Sequence, residues 1–216
     1  MNQHVSGTAN QRTVAVARPD LLAVAGLIPS HSSVLDLGCG DGDLLLLLAE
    51  RGVSGRGVEI SEEGVRRCVN RGLSVLQGDV DEGLADYPDS SFDYVILSQT
   101  LPYLDAPRFV LREMLRVGRR AVVSFANPGH WRCRLQMLFA GRTSEDLLVG
   151  HPWYQSPRLH LPTPNDFRAI CVADGIRVLS QLGLDADGRP THYWLNLLGW
   201  TAVFVVTRQG GTARGS

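Results

Sequence analysis

An α/β fold on a mostly parallel sheet is what the sequence predicts, on three observations. Short runs rich in Val, Leu and Ile alternate with amphipathic stretches from residue 19 onward. The first run, Ser33-Val34-Leu35-Asp36-Leu37, passes into a glycine turn, Gly38-Cys39-Gly40-Asp41-Gly42, and then into the leucines of 44–48. Acids mark the ends of three successive runs, at Asp36, Glu59 and Asp79. A buried strand, a tight turn and a helix start, in that order, form the elbow on which open α/β sheets hold ligands, at the carboxyl ends of their strands.

The elements follow in order. A helix is expected near 19–28, a strand at 33–38, a helix at 42–51 that Gly52 can stop, and a strand at 55–60. A helix at 62–71, strands at 73–79 and 92–98, a helix from Pro107 to Arg116 and a strand at 119–125 complete five parallel strands. Thr163-Pro164-Asn165-Asp166 has the cap, first-turn proline and first-turn acid of a helix start, and Gly175 can end that helix. Two final strands, near 176–183 and 198–207, would form an antiparallel hairpin, giving seven strands with helices on both faces. Residues 1–17 and 208–216 read as loose tails around a single domain spanning 18–207.

The glycine turn raises the question of which ligand it holds. A dinucleotide fingerprint starting at Gly38 needs a third small residue at position 43, where this chain has Asp43. A pyrophosphate there would also face Asp36, Asp41 and Asp43, which costs affinity. A phosphate-binding loop of the Gly-Lys type is excluded because the chain has no lysine. Three acids suit a cation, and S-adenosylmethionine (SAM), with its ammonium, its sulfonium and no phosphate, meets that requirement. Glu59 falls 21 residues after Gly38, the offset at which an acid accepts both ribose hydroxyls. Asp79 is placed to accept from an adenine amino group. Each acid taken alone has a plain structural role open to it, a turn cap for Asp79 and a solvated strand end for Glu59; the three together favour the cofactor.

Composition bounds the rest. The 216 residues are 44% hydrophobic and 20% charged, with a net charge of −1, so no general attraction to nucleic acid or to a membrane surface follows. Charge is uneven: residues 36–93 carry thirteen acids against five arginines, and 108–142 carry eight arginines against Glu113 alone. Cys39, Cys68, Cys133 and Cys171 form no Cys-x-x-Cys pair, so neither a zinc site nor a disulfide framework is signalled. The first 17 residues lack a signal-peptide apolar stretch, and a cytoplasmic protein is expected.

Val34 to Gly42, Glu59 and Gln77-Gly78-Asp79 resemble the class I SAM-dependent methyltransferases, whose fold is Rossmann-like. A closer resemblance is to the methionine biosynthesis protein MetW family. It is carried by Leu37 to Gly42, Gly78 to Leu84, Phe92 to Leu101, Glu113 to Arg119 and Asn127-Pro128-Gly129-His130-Trp131-Arg132, and covers roughly residues 18–207. It implies SAM or S-adenosylhomocysteine as ligand, with contacts from Asp36, Gly38, Cys39, Gly40, Asp41, Glu59, Asp79 and Ser98. It also implies a role in methionine biosynthesis as accessory or activating partner of homoserine O-acyltransferase. An active small-molecule methyltransferase of unknown acceptor is the alternative.

No catalytic residue is assigned. Ser98-Gln99-Thr100 stands where amino-methylating members of the superfamily carry Asp/Asn-Pro-Pro-aromatic, which removes the best support for amino-group methylation. His130, beside Trp131 in an arginine-rich stretch, reads as a structural histidine rather than a base. Residues 151–164, with Trp153 and Tyr154, read as a lid, a docking surface or an ordered loop, and Leu135 to Phe139 as a core or interface helix face.

Overall fold

The computed structural model describes residues 18–143 and 159–209. In chain order these form α1 (Pro19–Gly26), β1 (Ser33–Leu37), α2 (Asp43–Glu50), β2 (Ser54–Glu59), α3 (Glu62–Asn70) and β3 (Val75–Gln77). β4 (Phe92–Ser98), α4 (Pro107–Val117), β5 (Gly118–Ala126) and α5 (Trp131–Leu135) come next, and a π turn over Gln136–Ala140 extends α5. The remainder is α6 (Pro164–Ala173), β6 (Ile176–Leu184), β7 (Pro190–Thr191), α7 (Leu195–Leu198) and β8 (Thr201–Arg208).

The sheet order is β3-β2-β1-β4-β5-β8-β6-β7. β1 to β5 run parallel, and β8 inserts antiparallel between β5 and β6. The order in which strands are added reverses between β1 and β4, the switch point outside which open α/β sheets bind ligands.

Side-chain alternation explains why helices cover both faces. Val34, Tyr94, Ile96, Val122, Val203 and Val205 pack on one side with Leu21, Val24, Leu44 and Leu48 of α1 and α2. Their neighbours Leu35, Val95, Leu97, Val123, Phe125 and Phe204 pack on the other with α4 and α6. A strand buried on both faces must be apolar at successive positions, which is how the β1, β4, β5 and β8 runs read. Phe167 of α6 docks on this face, its ring centroid 5.4 Å from Phe125 and 4.7 Å from Phe204. The expected start of α6 is a complete capping box: Thr163 N donates to Asp166 Oδ2 at 2.9 Å and Asp166 N donates to Thr163 Oγ1 at 3.3 Å.

Four expectations are corrected. The sheet has eight strands, because Pro190–Thr191 pairs with Gly183 and Leu184 at the edge, a two-residue ladder too short to leave a sequence pattern. The last strand begins at Thr201 rather than 198, since Leu195–Leu198 turns as a short helix first, and it extends through Arg208. β3 keeps only Val75–Gln77 of the expected 73–79, because Gly78 and Asp79 already lead into a 3-10 turn at Val80–Glu82. Met137, Leu138 and Phe139 are 57, 73 and 80% exposed, so that face is not core. Residues 1–17, 144–158 and 210–216, with Trp153 and Tyr154 among them, lie outside the described residues. No helix among the described residues is long and apolar enough to cross a membrane.

Candidate functional site

The site is built from the carboxyl end of β1 outward. β1 hands over to the glycine turn by two bonds to β2: Gly38 N and Cys39 N both donate to Val58 O, at 2.8 and 3.1 Å. Gly38 adopts φ +69, and a Cβ there would lie 2.6 Å from Thr100 Oγ1, so Thr100 at the end of β4 closes directly over the turn. Thr100 is fixed in turn by donating to Ser98 O at 3.1 Å. Over Gly40, by contrast, a Cβ would meet nothing within 4 Å, which leaves the middle of the turn open to a ligand.

Glu59 organises this turn from β2. Its Oε2 accepts from Gly40 N at 2.8 Å and its Oε1 from Ser61 N at 2.9 Å, and the residue is buried. Each carboxylate oxygen takes one backbone donor and keeps a lone pair for a further donor, such as a diol hydroxyl. Gly64 of α3 makes this possible: a Cβ there would sit 2.8 Å from Glu59 Cγ and 3.1 Å from Gly40 O. The sequence signal for Gly64 was a glycine in the first turn of an otherwise amphipathic helix.

The acids divide into two kinds. Asp36 is 2% exposed, and burial, then the charge of Glu59, pushes its carboxyl up to about 8. Asp41 and Asp43 are half-exposed and paired on the surface with α3, Arg67 Nε to Asp41 Oδ1 at 2.6 Å and Arg71 Nη2 to Asp43 Oδ1 at 2.7 Å. The expected field of three acids around the turn is therefore corrected: two are neutralised by arginines the sequence places 26 and 28 residues away, and the third, Asp36, keeps its proton up to about 8 in the ligand-free site. Asp79 uses its Oδ1 as a turn cap, accepting from Asp81 N at 2.9 Å. Ser98 Oγ lies 3.1 Å from Ser124 Oγ across β4 and β5. Cys39 is half-buried beside Cys68, and burial pushes both thiols up, away from reactivity.

Beyond Ser98 the same edge of the sheet opens into a cavity of about 370 Å³. Gln99 at the end of β4, Ala126 at the end of β5, Leu184 at the end of β6 and Trp200 before β8 line it, with Arg18 and Asp20 at α1. Sequence reasoning missed this cavity, because its walls come from five separate segments. His130 does not enter it. It is 4% exposed, its Nδ1 accepts from Arg132 N at 3.2 Å, and its ring stands edge-on to Trp200 with centroids 5.1 Å apart. Burial, then the Arg132 charge, lowers its pKa, and the ring packs between Trp131 and Trp200.

The family described as methionine biosynthesis protein MetW matches residues 18–206. The chain belongs to the MetW family. It is 35% identical over 175 residues to the bifunctional methionine biosynthesis protein MetXA/MetW of Rhodopirellula baltica, a match covering 76% of this chain and 28% of that relative. The chain thus spans a minor part of the relative's length. Among solved structures, a SAM-dependent methyltransferase of Thermotoga maritima superposes with a TM-score of 0.68 at 18% identity, covering 88% of this chain and 87% of the other. A SAM-dependent methyltransferase of Mesorhizobium loti gives a TM-score of 0.67 at 18% identity, over 89% of this chain and 99% of the other. At such identity the two establish the Rossmann-like methyltransferase fold of this MetW chain, and a fold by itself hosts many chemistries.

Proposed function

We propose that the protein binds SAM or S-adenosylhomocysteine and serves methionine biosynthesis as an accessory partner of a homoserine O-acyltransferase in the cytoplasm. The observation that carries this reading is the matched relative, a bifunctional MetXA/MetW chain of which the MetW-like part is a fraction. The ligand part of the reading is supported by the fit of the cleft. The open face of Gly40 lets an adenosyl group lie on backbone, Glu59 keeps lone pairs for ribose hydroxyls, and Asp36, buried at the end of β1, would ionise beside a bound cation. The second oxygen of Asp79 remains for the adenine amino group. Asp41 contributes through its backbone, its side chain being committed to Arg67. Cys39 and Ser98 complete the wall.

Bound SAM would supply an activated methyl on a sulfonium. The residues of this chain would hold it and balance its charge; His130, buried with its Nδ1 accepting from Arg132 N, is not arranged as a base for an acceptor. Methyl transfer to a small molecule is a second reading, favoured by the cavity beyond Ser98.

Co-expression with the homoserine O-acyltransferase encoded in the same genome tests the primary reading. The two proteins should co-purify as a stoichiometric complex. Failure to associate at any salt concentration would leave the methyltransferase reading.

A further inference from the structure

We propose that the cavity beyond Ser98 is a binding site for a small zwitterionic α-amino acid with an uncharged side chain. The site lies at the carboxyl ends of β4, β5 and β6, on the half of the sheet edge next to the glycine turn. Its volume of about 370 Å³ falls in the range of small-ligand sites.

Charge selects the head group. Arg18 and Asp20 pair side by side at the rim, Nη2 to Oδ2 at 2.8 Å and Nε to Oδ1 at 3.2 Å, so both signs are presented together. Asp185 adds a second carboxylate whose Oδ1 accepts from Asp187 N at 2.9 Å and Arg189 N at 2.8 Å. With Arg18 as the only cation among the lining residues, the site holds one more negative than positive charge. A phosphate or dicarboxylate would be repelled, and an uncharged lipid would strand the charges. An ammonium answers the two carboxylates, and the guanidinium answers the ligand's own carboxylate. Trp200, Tyr103, Pro102 and Leu184 leave apolar surface for a short side chain.

The walls are pinned rather than loose. Trp200 N donates to Leu184 O at 2.7 Å, Asn127 N donates to Trp200 O at 2.8 Å, and His130 packs on the Trp200 ring. Asn127 is itself buried, its Nδ2 donating to Gly199 O at 2.7 Å and its Oδ1 accepting from Gly129 N at 2.8 Å. The turn bearing Asp185 is held against α1, since a Cβ at Gly188 would fall 2.1 Å from Pro19 Cβ. Gln99 stands between the cofactor edge and the cavity at φ +59, a conformation a non-glycine residue adopts at a cost and one that collects at ligand sites. A preformed cavity needs no ordering step on binding. The site goes beyond the acyltransferase partnership and does not depend on it.

The test is calorimetric titration of the full-length protein, with and without S-adenosylhomocysteine, using L-methionine and L-homoserine as probes. 3-(Methylthio)propylamine serves as a control lacking the carboxylate, and 4-(methylthio)butanoate as one lacking the amine. At least one amino acid should bind, the amine control should bind about tenfold or more weakly, and the acid control should not bind measurably. Asp185→Asn, which keeps the Oδ1 acceptor for both backbone amides, should lose about tenfold or more in amino-acid affinity while SAM affinity stays at the wild-type value. Unchanged SAM affinity separates failure of this site from failure of the cofactor reading. The mass of amino acid recovered after incubation with SAM distinguishes a bound effector, unchanged, from a methylated acceptor, and either result supports the site. No binding of either amino acid, or equal binding by wild type and Asp185→Asn, would overturn it.

Discussion

Glu59 and Gly40 are joined by one hydrogen bond, the backbone amide of Gly40 donating to Glu59 Oε2 at 2.8 Å, and this bond sets the glycine turn against β2. The same carboxylate accepts from Ser61 N, so one side chain ties the turn to the start of α3. Glu59 is therefore both a brace and the proposed ribose acceptor.

That double role predicts a graded response. Glu59→Ala should weaken SAM binding by roughly tenfold to a hundredfold, the worth of hydrogen bonds to a charged acceptor. Glu59→Gln keeps one oxygen and should lose less. Calorimetry on the two variants checks the order; equal affinity in wild type and Glu59→Ala would remove the residue from the site.

Asp36 predicts a pH dependence of stability. The native carboxyl holds its proton up to about 8, whereas an unfolded aspartate releases it near ~3.9. Between those values the native state binds more protons, so this group's contribution to stability falls as the pH rises from about 4 to about 8 and then levels off. Asp36→Asn should flatten that part of the profile and raise the Tm of the ligand-free protein at alkaline pH, by about 2 to 4 °C per kcal/mol relieved. The same variant should bind SAM more weakly, because a cation bound beside Asp36 would favour its ionised form and an asparagine cannot ionise. Thermal melts across the range check the sign; a steeper decline in Asp36→Asn would contradict it.

The contact of Thr100 with Gly38 predicts a steric penalty. Gly38→Ala would place a Cβ 2.6 Å from Thr100 Oγ1 at a backbone φ of +69, so both clash and strain oppose it. A loss of about 1 to 3 kcal/mol is expected. Adding Thr100→Ser should recover part of it, by removing the methyl that lies 2.7 Å from the same position. Denaturant titration of the single and double variants measures the recovery.

The exposed helix end over Trp131–Ala140 predicts where the proposed acyltransferase partner docks. Leu138 and Phe139 are 73 and 80% exposed, and in the turn of α5 before them the Arg132 guanidinium lies 5.4 Å over the Trp131 ring. Apolar and arginine side chains of this kind carry interface energy. Arg134 belongs to a different set, since its Nε donates to Gly129 O at 2.6 Å and holds the Asn127 turn. Phe139→Ser combined with Arg132→Glu should leave the fold and SAM affinity intact and abolish co-purification. Retained association would move the interface elsewhere.

Local signals were legible in the sequence and distant ones were not. The glycine turn, the acid of β2 and the Thr163–Asp166 box declare themselves within a few residues, so the alternating pattern placed the parallel strands and α6 within a few residues of where they lie. What escaped depends on packing between segments far apart: Thr100 over Gly38, Arg67 and Arg71 on Asp41 and Asp43, and Trp200 against His130. The charge of the cleft departs from the sequence expectation for this reason, because an acid's partner cannot be read from the acid's own neighbours in sequence. β7 escaped for another: two edge residues, one a proline, carry no periodicity.

The most direct measurement is the rate of homoserine O-acyl transfer by the cognate acyltransferase, with and without stoichiometric amounts of this protein, together with the enzyme's half-life. The account predicts that wild-type protein raises the rate or the half-life, that added SAM changes the effect, and that Glu59→Ala responds to SAM only at higher concentration. An acyltransferase whose rate and half-life are the same with and without the protein would contradict it.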